Sequence, residues 1–146
     1  MNKRHELISR IGALLVTKDL FKKVIYEQVS KEKIVHTAAP LCLIPTAEVV
    51  FDKRSDKSRT YDANMDIHFE LYVKKQEGKT DFEIIDVLEQ NIIELLLNDK
   101  TLSDLCVMDD YLSVISSKNS NDLHFSDVSG LVHSSLVLNV KYLQKF

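Results

Sequence analysis

The sequence predicts an α+β domain: an antiparallel or mixed β-sheet of four to five strands, built on a long hairpin, with one face covered by two helices. Three stretches predict it. From Tyr61 to Val73, Tyr61, Ala63, Met65, Ile67, Phe69, Leu71 and Val73 alternate with Asp62, Asn64, Asp66, His68, Glu70 and Tyr72. Successive side chains of a strand point to opposite faces, so this period makes one long strand with an apolar side and a polar side. Asp81 to Asn98 is the strongest helix: Thr80 and Glu83 have the spacing of a capping box, and Ile85, Leu88, Ile92, Leu95 and Leu96 follow at helical spacing. Lys3 to Thr17 is a second helix, with its stripe of Leu7, Ile8, Ile11, Leu14 and Leu15. A sheet with one dry face must be covered, and these two stripes are the natural cover.

The remaining elements follow in order. Phe21 to Ser30, carrying Val24, Ile25, Tyr26 and Val29, reads as a short strand. Lys31 to Pro40 reads as a surface connector, with Pro40 disfavouring helix at Ala39. Leu41 to Asp52 is a strand that places Ala47, Val49 and Phe51 on one face. Its Pro45 cannot donate to a ladder, so it marks an edge, a bulge or the beginning of the strand. The charged tip Asp52 to Arg59 joins this strand to the Tyr61 strand as a long hairpin. Lys74 to Thr80 is a polar turn containing Gly78, and Asn98 to Cys106 reads as a helix exit and loop. Met108 to Ser117 reads as a strand and Ser116 to Ser126 as a polar loop. Val132 to Tyr142 is a closing alternating strand, with Val137 breaking its alternation. No internal repeat or low-complexity tract divides the chain, so residues 1–146 read as a single domain.

The length of 146 residues suits one domain with its own core, and the net charge of -3 gives no electrostatic footprint for nucleic acid. Cys42 and Cys106 each sit among apolar residues and read as buried thiols, with no zinc-ligand spacing around them. The charged start, Asn2 to Glu6, lacks the apolar core of a signal peptide, and no apolar run approaches a membrane span.

The search for chemistry finds little. Gly12, Gly78 and Gly130 make no phosphate-binding loop, and there is no His-Glu-x-x-His run or nucleophile elbow. His68 and His133 fall on the polar faces of their strands and would approach each other if the strands were neighbours, which leaves a metal or acid–base site open as a minor reading. No catalytic, cofactor-binding or metal residue is assigned. Two surfaces are candidates for partners instead. The hairpin tip carries Lys53, Arg54, Lys57 and Arg59, which read as a solvated loop or a partner-contacting one. The polar strand face carries Asp62, Asp66, His68 and Glu70, which suit an exposed sheet face or a contact between copies. A monomer whose sheet edge captures a peptide by strand addition is a third possibility.

The order of elements resembles the tail terminator proteins of long-tailed bacteriophages, the minor tail protein U type and its head–tail joining and tail-completion relatives. The likeness is carried by the N-terminal helix leading to Phe21–Tyr26, the proline-bearing strand Leu43–Val50 and the long hairpin strand. It continues in the helix Ile84–Leu97 followed by Asp99-Lys100-Thr101-Leu102, Val114 and the closing run Ser134–Tyr142. The resemblance spans nearly the whole chain without a signature motif. It implies a non-enzymatic structural subunit, with no catalytic residues and no cofactor, that assembles into a hexameric ring. Such a ring caps the tail tube at its head-proximal end in the virion, after synthesis in the bacterial cytoplasm, and joins the tube to the head or neck. The implied partners are further copies, the tail tube protein and the connector proteins, with DNA only passing through the channel and no membrane. Terminator and neck relatives are not distinguished by these residues.

Overall fold

Three long strands set the scale of the molecule. The computed structural model describes residues 3–29, 39–54, 59–106, 112–116 and 130–146, the backbone alone for 112–116. Helix α1 (Lys3–Thr17) leads to a short strand β1 (Lys23–Ile25), followed by β2 (Leu41–Lys53) and β3 (Thr60–Lys74). Then come α2 (Asp81–Leu97), α3 (Lys100–Leu105), β4 (Leu112–Ser116) and β5 (Leu131–Lys145). The sheet has five strands in the order β1-β2-β3-β5-β4, with β1 parallel to β2 and the other pairs antiparallel. The predicted α+β class and the mixed sheet are therefore the observed ones.

β3 lies at the centre of the sheet, and its alternation sets which side chains face the helices. Ala63, Met65, Ile67, Phe69, Leu71 and Val73 are all buried, facing the helices. Across the ladders Ala47 sits opposite Ile67, Leu138 opposite Ile67 on the other side, and Leu136 opposite Phe69, so the neighbouring strands continue the same dry face. Leu7, Ile11, Leu14 and Leu15 of α1 and Ile84, Ile85, Ile92 and Leu96 of α2 complete that core. Val137 breaks its strand's alternation because it points to the other face, opposite His68. Both cysteines are free and buried; burial pushes the Cys42 thiol up, and that of Cys106 up to about 11.

Local chemistry explains where elements begin and bend. Thr80 caps α2: its hydroxyl accepts from the Glu83 N–H at 3.2 Å and donates to the Glu83 carboxylate at 3.2 Å. Pro45 sits in a register shift between Leu43 and Thr46, so the bulge is the reading that holds. Gly12 stands inside α1 because a methyl there would run into the Tyr26 hydroxyl. The strand expected over Phe21–Ser30 shrinks to three residues.

The stretch expected as loop after α2 contains α3, a correction with a local cause. The Asp99 carboxylate accepts from the Leu102 N–H at 3.0 Å and so caps a new helix immediately after the old one ends. The same carboxylate takes a two-pronged contact from Arg10 of α1, Nη2 at 2.8 Å and Nε at 3.1 Å. The Arg10 hydrogen bond, with the Leu102 N–H, holds Asp99 below the usual carboxylate range. One side chain thus starts α3 and ties it to α1.

A buried acid interrupts the apolar packing. Glu89 of α2 is buried over β5, where Ser134 Oγ donates to its Oε1 at 3.3 Å. Burial raises its pKa, opposed by that hydrogen bond. The folded state therefore favours the protonated form. The stabilising contribution is complete below the ordinary carboxylate range and is lost as pH rises through the raised folded value. Glu89→Gln should raise the melting temperature at pH 7 and flatten the loss of stability between pH 4 and 8, read by thermal unfolding across that window. Phe69→Ala, which empties a fully buried ring site, should cost about 3–5 kcal/mol in urea unfolding, with the secondary structure retained.

Candidate partner-binding surfaces

The far end of the hairpin is where the helical cover ends. Phe51 of β2 and Tyr61 of β3 belong to the same dry face as Met65 and Ile67, yet Phe51 is 41% exposed and Phe146 is 61% exposed. The three rings of Phe51, Tyr61 and Phe146 meet edge to face, with centroids 5.2 to 6.4 Å apart. The Phe146 N–H donates to the Arg59 carbonyl at 3.0 Å, which pins the third ring to the hairpin. Around this aromatic end stand the exposed cations Lys53, Arg54, Arg59 and Lys145. Of the four basic residues singled out from sequence, Lys53, Arg54 and Arg59 are thus gathered there, while Lys57 lies outside the described residues. Arg54 is engaged, its Nε lying 3.2 Å from Asp62. The aromatic neighbours were not singled out from sequence. Their signal is that Phe51 and Tyr61 keep the core-facing register at the hairpin end and Phe146 continues that of β5.

The second sheet face is less open than its composition implied. Asp62, Asp66, His68 and Glu70 do share it, but all four are half-buried. At the Lys74 end the face carries a small second core of Ala39, Leu41, Leu43, Tyr72 and Leu131, with Ile25 and Val29 packed against it. Beside that core, Glu70 is enclosed by partners from β5. Its Oε2 contacts His133 Nε2 and accepts from Ser135 Oγ at 2.8 Å. His133 stacks on the Tyr72 ring at 4.5 Å and 8°. Burial, reinforced by the nearby Glu70 charge, pushes the Tyr72 hydroxyl up to about 12. Further along, Asn139 is buried and its amide donates to Asp66 at 3.0 Å and contacts Asn64.

This register brings His133 to Glu70 and leaves His68 opposite Thr46 and Val137. Among the described residues no three His, Cys, Asp or Glu side chains converge as a metal would need. The Glu70 cluster is a set of cross-strand hydrogen bonds in which the serine donates to the acid, with no base on its hydroxyl. That arrangement locks the β3–β5 register. Towards the tip the same face places acids directly opposite one another, Glu48 against Asp66 and Asp52 against Asp62, an unfavourable pairing that Arg54 offsets at Asp62.

Replacing Glu70 with Ala removes the acceptor shared by His133 and Ser135. It should cost about 1–3 kcal/mol in denaturant unfolding, and Glu70→Gln should recover part of the loss.

No family model matches the chain, and no curated protein matches it.

Proposed function

We propose that the chain is a structural assembly subunit that forms a ring, of the type that terminates a phage tail tube and joins it to the head or neck. The reading is supported chiefly by the hairpin end. A rigid pair of antiparallel strands carries three aromatic rings and a rim of cations out past the helices. An exposed aromatic group rimmed by charge fits a docking surface better than a solvated turn. The order of elements, helix, short strand, long hairpin, helix and closing strands, is the order on which the resemblance to tail terminators rests.

In this reading the three-stranded core is the stiff frame, and the hairpin end is the part offered to neighbours. The side-chain clusters on the second face serve register and not catalysis. The work of such a subunit is to present surfaces in fixed geometry, which the long paired strands do without moving parts.

Native mass spectrometry and negative-stain class averages of the purified chain test the reading. Closed rings, six subunits in the favoured case, are the expected result. A strictly monomeric species at every concentration up to hundreds of micromolar would remove it.

A further inference from the structure

The outer surface of α2 is the counterpart of the hairpin end. From Thr80 to Asp99 the chain has no Lys or Arg, while Glu83, Asp86 and Glu94 stand exposed on the helix. Between them Phe82 is 63%, Val87 55% and Leu97 47% exposed, although the rest of the helix's apolar content faces the core. Gln90 adds to this side, its amide donating to Asp86 at 3.3 Å. An open depression of about 430 Å³ runs beside Leu97, lined by Gln90, Ile93, Glu94 and Asn98 as well. An acidic helix with exposed apolar side chains and a shallow apolar slot is the complement of a basic end with exposed aromatic rings.

We propose that the hairpin end of one copy docks on the α2 surface of another copy of this chain. The rings of Phe51 and Phe146 cover Val87 and Leu97, and Lys53 and Arg59 face Asp86 and Glu94. The occupant is a second copy because both halves of the match, in charge and in apolar content, are present on this one sequence. The two surfaces differ, so the contact is head to tail and repeats from copy to copy. It closes a ring when the rotation per step divides a full turn. This inference rests on the ring-forming reading above and names its interface.

Two reversals test it, each on exposed residues. One variant carries Lys53→Glu and Arg59→Glu; the other carries Asp86→Lys and Glu94→Lys. Circular-dichroism melting first establishes that both fold, and sedimentation velocity then reads their size at 50 mM salt. Each variant alone should lose self-association by about tenfold or more in concentration. An equal mixture should assemble again with the two variants alternating, since the acidic end of the first meets the basic helix of the second and the basic end of the second meets the acidic helix of the first. The chain with all four substitutions should assemble again, because its charges are exchanged and not lost. Two folded variants that assemble like the unsubstituted chain, or a mixture that stays monomeric, would overturn this interface. If the unsubstituted chain still forms rings in that case, the ring-forming reading stands and the contact lies elsewhere. An unsubstituted chain that never associates removes both.

Discussion

The dry face of β3 is longer than any helix packed on it, and that mismatch governs the rest of the molecule. A strand of 15 residues extends about 46 Å, while the 17 residues of α2 cover about 25 Å and the 15 of α1 about 22 Å. The sheet cannot be kept dry by one lid, so the helices share its length. Glu89 of α2 sits over Ser134, towards the Lys74 end, while Arg4 at the start of α1 reaches the Ala47 carbonyl, further towards the tip. Together they keep Ala63 to Val73 dry on alternate residues, and the cover ends at Tyr61. What remains beyond it is the aromatic end. There the rings of Phe51, Tyr61 and Phe146 pack on one another.

Dividing the cover between helices makes their joints important. Asp99 supplies the joint between α1 and α3, serving as helix cap and as ion-pair partner at once. Its charge is stabilised by both contacts, so this joint is firm above the usual carboxylate range and loosens as pH falls through the depressed folded value. Glu89 responds in the opposite sense, being favoured when protonated. The two acids pull the stability profile in opposite directions. Asp99 weakens the fold as pH falls through its depressed value, and Glu89 weakens it as pH rises through its raised one.

The period of β3 and the Thr80–Glu83 spacing were legible in the sequence because they are local and repeat over many residues. The period-two alternation places Met65, Ile67 and Phe69 inside whatever else happens. The bulge at Pro45 was legible as one of three outcomes, since a missing N–H restricts the ladder without choosing the remedy. Helix α3 was missed although Asp99 is a good capping residue. A helix of six residues has too short a stripe to show, and its other anchor, Arg10, lies far away in sequence. The Glu70–His133–Ser135 contacts depend on which strands are neighbours, and β5 pairs with β3 across more than fifty intervening residues. Sequence alone offered His68 and His133 as equals. The register separates them, giving His133 to Glu70 and His68 to Thr46 and Val137. The basic end was partly legible: its cations were visible as a charge run, whereas its rings are distributed over three strands and converge only in the fold.

The position of the free edge decides how copies can meet. Among the described residues β1 pairs with β2 only from Leu41 to Leu43, so the outer edge of β2 continues to Lys53 without a strand beside it. An open edge invites another strand, and association by strand addition is the obvious competitor to docking through side chains. Three features oppose it here. Pro45 and the bulge interrupt the edge at its start. The Arg4 guanidinium donates to the Ala47 carbonyl, so that acceptor is already occupied. Beyond it the side chains alternate Glu48, Val50 and Asp52 on one face, and an antiparallel copy centred on Val50 would set Glu48 against Asp52. A shift of centre to Asp52 places that residue against itself. Centred on Val50 or on Asp52, a second β2 therefore brings like charges together, while the exposed rings and cations just beyond the edge meet no such conflict with an acidic helix. The head-to-tail docking proposed above uses the aromatic end and leaves the β2 edge unpaired.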